Sequence, residues 1–277
     1  MGIASEDAIE QLAMLIDEVE EPLKKTFQNM HQGYPTEALM RFLKAREWNV
    51  RKAYKMLVDC LHWRIENQID NILEKPIMPT DLYRTIRASQ LVGLSGYSKE
   101  GLPVFAVGVG FSILSKVPPN ATKKYGRQIS NCLKVLDMTA LKLSSLNQIK
   151  LATALATVDD LNYPEKTRTY YIVNAPYIFS TCWKVVKPLL HERTRRKVLV
   201  LKGCGRDELL KVMDYASLPH FCRRESSQPS QNSPNEADDC FSLDHSFHQQ
   251  MYNYIKQQAV ASAYNSPMQA SLALCNT

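Results

Sequence analysis

No GxSxG elbow, no GxxxxGK[ST] loop, no HExxH and no CxxC pair occurs in this chain of 277 residues. Their absence argues against elbow-type hydrolysis, P-loop nucleotide chemistry and zincin-type metal catalysis. GVGF (108–111) opens like a dinucleotide fingerprint, but the sixth position holds Ile113 where Gly or Ala is needed. No apolar run approaches the ~20 residues that span a bilayer, and LATALATV (151–158) is too short. The first residues, MGIASEDAIE, carry neither a basic n-region nor an apolar h-region, so they do not read as a secretory signal. Glu6 stands where myristoylation after Gly2 expects Ser or Thr, and Cys275 has only two residues after it, too few for a CaaX box. The expectation is a soluble chain whose membrane contact is peripheral.

What is present is ordinary in amount. Hydrophobic residues make up 45% and charged residues 22%, enough for a sizeable core. The formal net charge of +6 is a mild excess that favours anionic partners without selecting among them. The seven cysteines are odd in number, and several sit inside apolar runs, which fits a reducing, cytosolic compartment.

Along the chain, Ile9, Leu12, Ile16 and Val19 recur at helical spacing. Pro22 then interrupts, and Leu23, Phe27 and Met30 resume. PTEALMRFLKARE (35–47) and NVRKAYKMLVDCLHWRIEN (49–67) continue the pattern, with Asn49 placed to cap the latter. These segments predict a helical layer over residues 1–75. KPIMP (75–79) breaks it. From Leu102 the pattern turns to strands at 103–110, 132–138, 169–175 and 197–201, all apolar with little alternation, so both faces are expected to be buried. Helical segments at 146–161, 178–190 and 205–213 fall between or after them. The alternation predicts an α/β domain with a mostly parallel sheet over 80–223. A polar linker (224–240), a helix at 244–260 and a patternless tail complete the chain, the last two forming a 241–277 segment. Phe247, Met251, Tyr254 and Ile255 line one side of that helix.

Three clusters invite chemistry. Asp159 and Asp160 are adjacent, so they point apart on a helix and read as a solvated end. His220, Cys222, Cys240, His245 and His248 could be drawn into a metal set. They straddle the linker and match no standard zinc spacing, so they read as surface histidines and unpaired thiols, and no metal is expected. RTRRK (193–197) lacks the interleaved aromatics of an RNA-binding face, so no nucleic-acid partner is expected.

The segment 161–198 is the most telling. A strand, TYYIVNA, runs into an amphipathic helix, IFSTCWKVVKPLL, and then into the basic cluster. Ile178, Cys182, Val185, Val186 and Leu189 form one stripe, widened by Phe179, Trp183 and Leu190, with Lys184 and Lys187 opposite. A core-facing helix and a helix lining a lipid cavity or touching a bilayer both fit this stripe. Apolar surface beside cations would suit a phospholipid.

ALMRFLKAREWNVRKA (38–53), YPEKTRTYYIVNAPYIFSTCWKVVKPLL (163–190) and DELLKVMDYASLPHF (207–221) resemble the CRAL-TRIO family, and within it the phosphatidylinositol/phosphatidylcholine transfer proteins of the Sec-fourteen type. The resemblance covers roughly residues 35–222. It implies a helical N-terminal layer and a sheet pocket for one phospholipid, closed by a gate helix formed by Ile178, Phe179, Cys182, Trp183, Val186 and Leu189. It places the inositol headgroup on Arg46, Glu165, Thr194 and Lys197. It implies a non-enzyme without cofactor, a monomer working at the cytosolic faces of Golgi or endoplasmic reticulum membranes, with anionic lipid surfaces and a lipid kinase as partners. The hydroxyl-bearing positions that hold phosphatidylcholine in the family are here Leu94, Phe105, Cys132 and Lys134, which favours phosphatidylinositol as ligand over phosphatidylcholine. FSILSKVPPNATKKYGR (111–127) is shorter than the family's segment, and CRRESS (222–227) replaces the glycines that follow LPxxF. Transfer, presentation of lipid to a kinase, and a shortened variant that binds no lipid are the three readings this leaves open.

Overall fold

Apolar spacing sets the first helices. In the computed structural model, which describes residues 3–71, 92–108, 129, 131–139, 141, 160–190, 192–223 and 239–264, α1 spans Ile3–Asp17 and α2 spans Glu21–His31. Pro22 sits in the first turn of α2, where its missing N–H leaves no bond unmade. Two further helices follow, α3 (Pro35–Ala45) and α4 (Val50–Glu66). The Asn49 side chain accepts from the Lys52 N–H at 3.0 Å, so the expected cap is formed. Leu12, Phe42, Leu43, Leu57 and Leu61 are buried together and make the core of this layer.

The described residues divide into two units, one of 3–71 with 160–165 and the other of the remainder. Within the first, the Cys60 thiol donates to the Asn162 carbonyl at 3.4 Å, and Trp63 meets Tyr163 edge-to-face at 6.2 Å.

Among the described residues, the second unit is built on five strands in the order β1-β2-β3-β4-β5. These are β1 (Val92–Tyr97), β2 (Pro103–Val107), β3 (Cys132–Asp137), β4 (Thr167–Val173) and β5 (Val198–Val200). β1 pairs with β2 antiparallel, and all the other pairs are parallel. Sequence reasoning missed β1, because VGLSGY carries two glycines and little apolar bulk. Between β4 and β5 lie α5 (Phe179–Val186), a 3-10 turn at Lys187–Leu189 and the short α6 (Glu192–Arg196). After β5 come α7 (Arg206–Val212), a 3-10 turn at Tyr215–Ser217, α8 (His220–Arg223) and α9 (Ser246–Tyr264).

One face of the sheet carries Val104, Leu133, Val135, Tyr171 and Val173, packed with Leu209, Met213, Leu218 and Cys222. Gly205 opens α7 at φ +67°, and a Cβ there would meet the Leu201 side chain at 2.6 Å, so both backbone and space require glycine. The expectation of strands buried on both faces holds for β2 and fails for β5, where Leu199 and Val200 are about half exposed. The reason is position: among the described residues β5 ends the strand order and pairs on one side, with β4. No helix among the described residues is long and apolar enough to cross a membrane. The expected helix over most of 146–161, the shortened 111–127 segment, KPIMP and the linker residues 224–238 lie outside the described residues.

Candidate functional site

The sheet's second face starts from strand alternation. Val104, Leu133 and Tyr171 point into the core, so their sequence neighbours point the other way. Register then aligns Leu94, Phe105, Lys134, Tyr170 and Val198 in one row across all five strands. A second row runs Val107, Leu136, Ile172, Val200. These two rows are apolar apart from Lys134 and the Tyr170 hydroxyl. Lys134 Nζ lies 5.5 Å from the Tyr170 ring centroid, a cation–π contact that partners the charge. Three of the positions matched to phosphatidylcholine contacts, Leu94, Phe105 and Lys134, are therefore neighbours on this face. Cys132, the fourth, is buried two residues before Lys134 on β3.

The helix expected over 178–190 forms as α5 over Phe179–Val186, and the segment changes to a 3-10 turn at Lys187–Leu189, where the Pro188 ring removes a helical donor. Phe179 and Trp183 stack at 5.8 Å with 17° between their planes. None of the described side chains of α5 is buried, and Val185 is 49% exposed. A core-facing role for Val185 is thus corrected: it faces solvent beside Lys184. The side chains of Cys182, Val186 and Leu189 lie outside the described residues.

α6 brings Arg193, Arg195 and Arg196 next to this helix in the chain. Glu192 accepts from Arg195 Nη2 at 2.8 Å and from Arg196 Nη2 at 2.8 Å. Those guanidiniums, Arg196 first, hold the Glu192 carboxyl below its usual range.

The four residues expected from the resemblance to hold the headgroup fall in both units. Arg46 terminates α3, its Nη1 donating to the Ala45 carbonyl at 3.1 Å. Glu165 occupies the left-handed region at φ 59° in the turn that precedes β4. Both belong to the first unit, whereas Thr194 and Lys197 belong to the second. There the Lys197 N–H donates to the Thr194 carbonyl at 3.0 Å, and the Lys197 carbonyl accepts from the Tyr170 N–H at 2.9 Å. The backbone of Lys197 is thus locked into the sheet, and its side chain is only partly buried.

Sequence reasoning did not find a cavity at the carboxyl ends of β3 and β4. It is an open depression of about 540 Å³, lined by Asp137, Thr139, Asn174, Pro176, His220 and Phe221. Asn174 Nδ2 donates to Asp137 Oδ1 at 2.9 Å, and Asn174 sits at φ 52°. The signal available was positional: crevices outside strand carboxyl ends are where open α/β sheets bind ligands.

The comparisons agree with this architecture. The CRAL/TRIO domain matches residues 105–222 and the CRAL/TRIO N-terminal domain matches residues 7–59. Together they span more than half of the chain, which belongs to the CRAL/TRIO family. A phosphatidylinositol/phosphatidylcholine transfer protein of Arabidopsis thaliana, SFH9, is 27% identical over 217 residues, covering 69% of this chain and 37% of that protein. A CRAL-TRIO domain-containing protein of Caenorhabditis elegans, T23G5.2, is 28% identical over 225 residues, covering 72% of this chain and 31% of that protein. The chain thus spans about a third of the length of these curated relatives. The crystal structure of Sfh5 superposes with a TM-score of 0.53 at 15% identity, covering 89% of this chain and 98% of that one, which supports the fold.

Proposed function

We propose that this protein binds one phospholipid, with phosphatidylinositol preferred, and exchanges it between membrane faces. The observation that carries the reading is α5: a helix whose described side chains are all unburied, with stacked Phe179 and Trp183, followed after one 3-10 turn by the arginine-bearing α6. Such a surface partitions into a membrane interface through its aromatics and is drawn to anionic lipid by its cations. The names of the relatives, phosphatidylinositol/phosphatidylcholine transfer proteins, support the ligand class. In this reading α5 is the gate, and the apolar rows around Phe105 and Ile172 receive the acyl chains. Burial contributes about 0.8 kcal/mol per CH₂, ample for two chains. Of the residues carried over by the resemblance, Lys197 and Arg46 each bear a cation suited to phosphate, Glu165 an acceptor for inositol hydroxyls and Thr194 a donor for phosphate. Lys134 stands on the sheet where a choline-binding hydroxyl would be needed, and a fixed cation repels choline.

The test is mass spectrometry of lipid extracted from natively folded protein, paired with fluorescent phosphatidylinositol transfer between vesicles. Stoichiometric phosphatidylinositol and measurable transfer are expected. A folded protein that extracts no lipid and moves none would overturn the reading. Lipid bound without transfer would point instead to presentation of the lipid to a kinase.

A further inference from the structure

His220, Asp239 and Cys240 come together although 18 residues separate the histidine from the aspartate. Each offers one ligand atom, and the three atoms lie within 4.8 Å of one another. His220 Nδ1 is 3.1 Å from Asp239 Oδ1 and 3.3 Å from Cys240 Sγ. A tetrahedral zinc ion with bonds of about 2.0 Å to nitrogen and oxygen and 2.3 Å to sulfur needs ligand atoms about 3.3–3.6 Å apart. Both separations from His220 Nδ1 are close to that, and the carboxylate oxygen and thiol sulfur lie within 4.8 Å of each other.

The surroundings fix each ligand. The His220 ring is held edge-on by Phe221 at 5.1 Å and Phe241 at 5.0 Å, and those two rings stack on each other at 5.8 Å. Phe241 N–H donates to Asp239 Oδ1 at 2.8 Å, which orients the carboxylate toward the imidazole. Cys240 is buried, and its carbonyl is 3.2 Å from His248 Nε2. The same carbonyl sits against β1: a Cβ on Gly93 would lie 1.8 Å from it. Only glycine admits this approach, so the fold fixes the Cys240 backbone between β1 and His248. Cys222, also buried, is within electrostatic reach of Cys240, Cys204 and Asp137.

We propose that His220 Nδ1, the Asp239 carboxylate and the Cys240 thiolate form a divalent zinc site, with water in the fourth position. The nitrogen, oxygen and sulfur donor set suits zinc and excludes calcium or magnesium, which take oxygen ligands. Binding releases the Cys240 proton to solvent, and the imidazole binds through its unprotonated Nδ1. His220 also lines the cavity at the ends of β3 and β4, so the metal sits at that cavity's edge. Its structural effect is a staple. The ion ties α8, at the end of the sheet domain, to the segment that packs on β1 and leads into α9. The sequence pattern drew its candidate set from Cys and His alone, and so left out Asp239, which the fold brings beside His220. It also counted His248 as a surface residue, yet His248 is 2% exposed and contacts the Cys240 backbone.

The test uses the full chain stripped with chelator and dialysed against micromolar zinc chloride. About one zinc per chain is expected. Cobalt(II) should give a thiolate-to-metal charge-transfer band, and zinc should raise the melting temperature. Cys240→Ser and His220→Ala should each weaken zinc binding at least about a hundredfold, and Asp239→Asn, at a partly exposed position, about tenfold. Cys204→Ser should bind as the parent does. Substoichiometric zinc in the parent chain overturns the site, because this reading needs no variant to fold. A cobalt band that survives Cys240→Ser but not Cys204→Ser assigns the metal elsewhere and also overturns it. A Cys240→Ser protein that melts as the parent does without zinc, yet no longer gains from zinc, supports it.

Discussion

Lys134 and Tyr170 are register partners on neighbouring parallel strands, with the lysine Nζ 5.5 Å from the centre of the tyrosine ring. This places one cation, partnered by an aromatic face, in a row otherwise formed by Leu94, Phe105 and Val198. Replacing Lys134 with Thr removes the positive charge and supplies a hydroxyl. The phosphatidylcholine share of extracted lipid should rise several-fold relative to phosphatidylinositol. The fold should survive, since the lost contact is worth about 0.5–2 kcal/mol. An unchanged lipid ratio by mass spectrometry would remove this row from headgroup selection.

Lys197→Ala and Glu165→Ala should each lower phosphatidylinositol transfer at least about tenfold, because a hydrogen bond to a charged group contributes about 1.5–3 kcal/mol. Far-ultraviolet circular dichroism should not change. The Lys197 carbonyl that accepts from Tyr170 is backbone, and alanine retains it. Transfer preserved in both variants would refute the headgroup assignment.

Glu192 engages Arg195 and Arg196 at once. Glu192→Gln releases both guanidiniums and should increase sedimentation with phosphatidylserine vesicles several-fold, an effect that fades at high salt. Because the arginines depress the carboxyl, its contribution to α6 is present above the ordinary carboxylate range. It is lost only as pH falls through the lower folded-state value. A vesicle titration in pH should therefore show arginine release beginning below the usual glutamate range. Release at ordinary glutamate pH would contradict the pairing.

Trp183→Ala and Phe179→Ala should weaken binding to neutral vesicles without lowering the melting temperature by more than a degree or two, since neither ring is buried. A large loss of stability would mean that α5 packs as core.

Burial pushes the Cys60 thiol up to about 12. A raised folded-state value means stability is fully present below the unfolded thiol's range and drains away as pH rises toward 12. Denaturant midpoints should fall across that window in the parent chain and fall less in Cys60→Ala. Asn49→Ala should cost about 1 kcal/mol at neutral pH through the lost cap. Equal alkaline slopes in parent and Cys60→Ala would exclude the thiol as the source.

Local rules on the sequence determined much of this protein. Helical spacing and Pro22 set α1 and α2, Asn49 set the start of α4, and apolar runs set β2, β3 and β4, because each of these signals acts within a few residues. The RTRRK cluster and the aromatic stripe of α5 were also legible as residues. Their exposure was not, since one helix pattern serves both core and membrane surface until packing assigns its neighbours. Tertiary structure alone decided the rest. It exposed Leu199 and Val200 by ending the sheet at β5, and it used glycine-rich VGLSGY as an antiparallel strand because a paired neighbour outweighs weak propensity. It brought Lys134 to the ring of Tyr170 across 36 residues of chain. It also joined His220 to Asp239 and Cys240 across the linker. Register and chain return fix such meetings, and neither is encoded in the spacing of nearby residues.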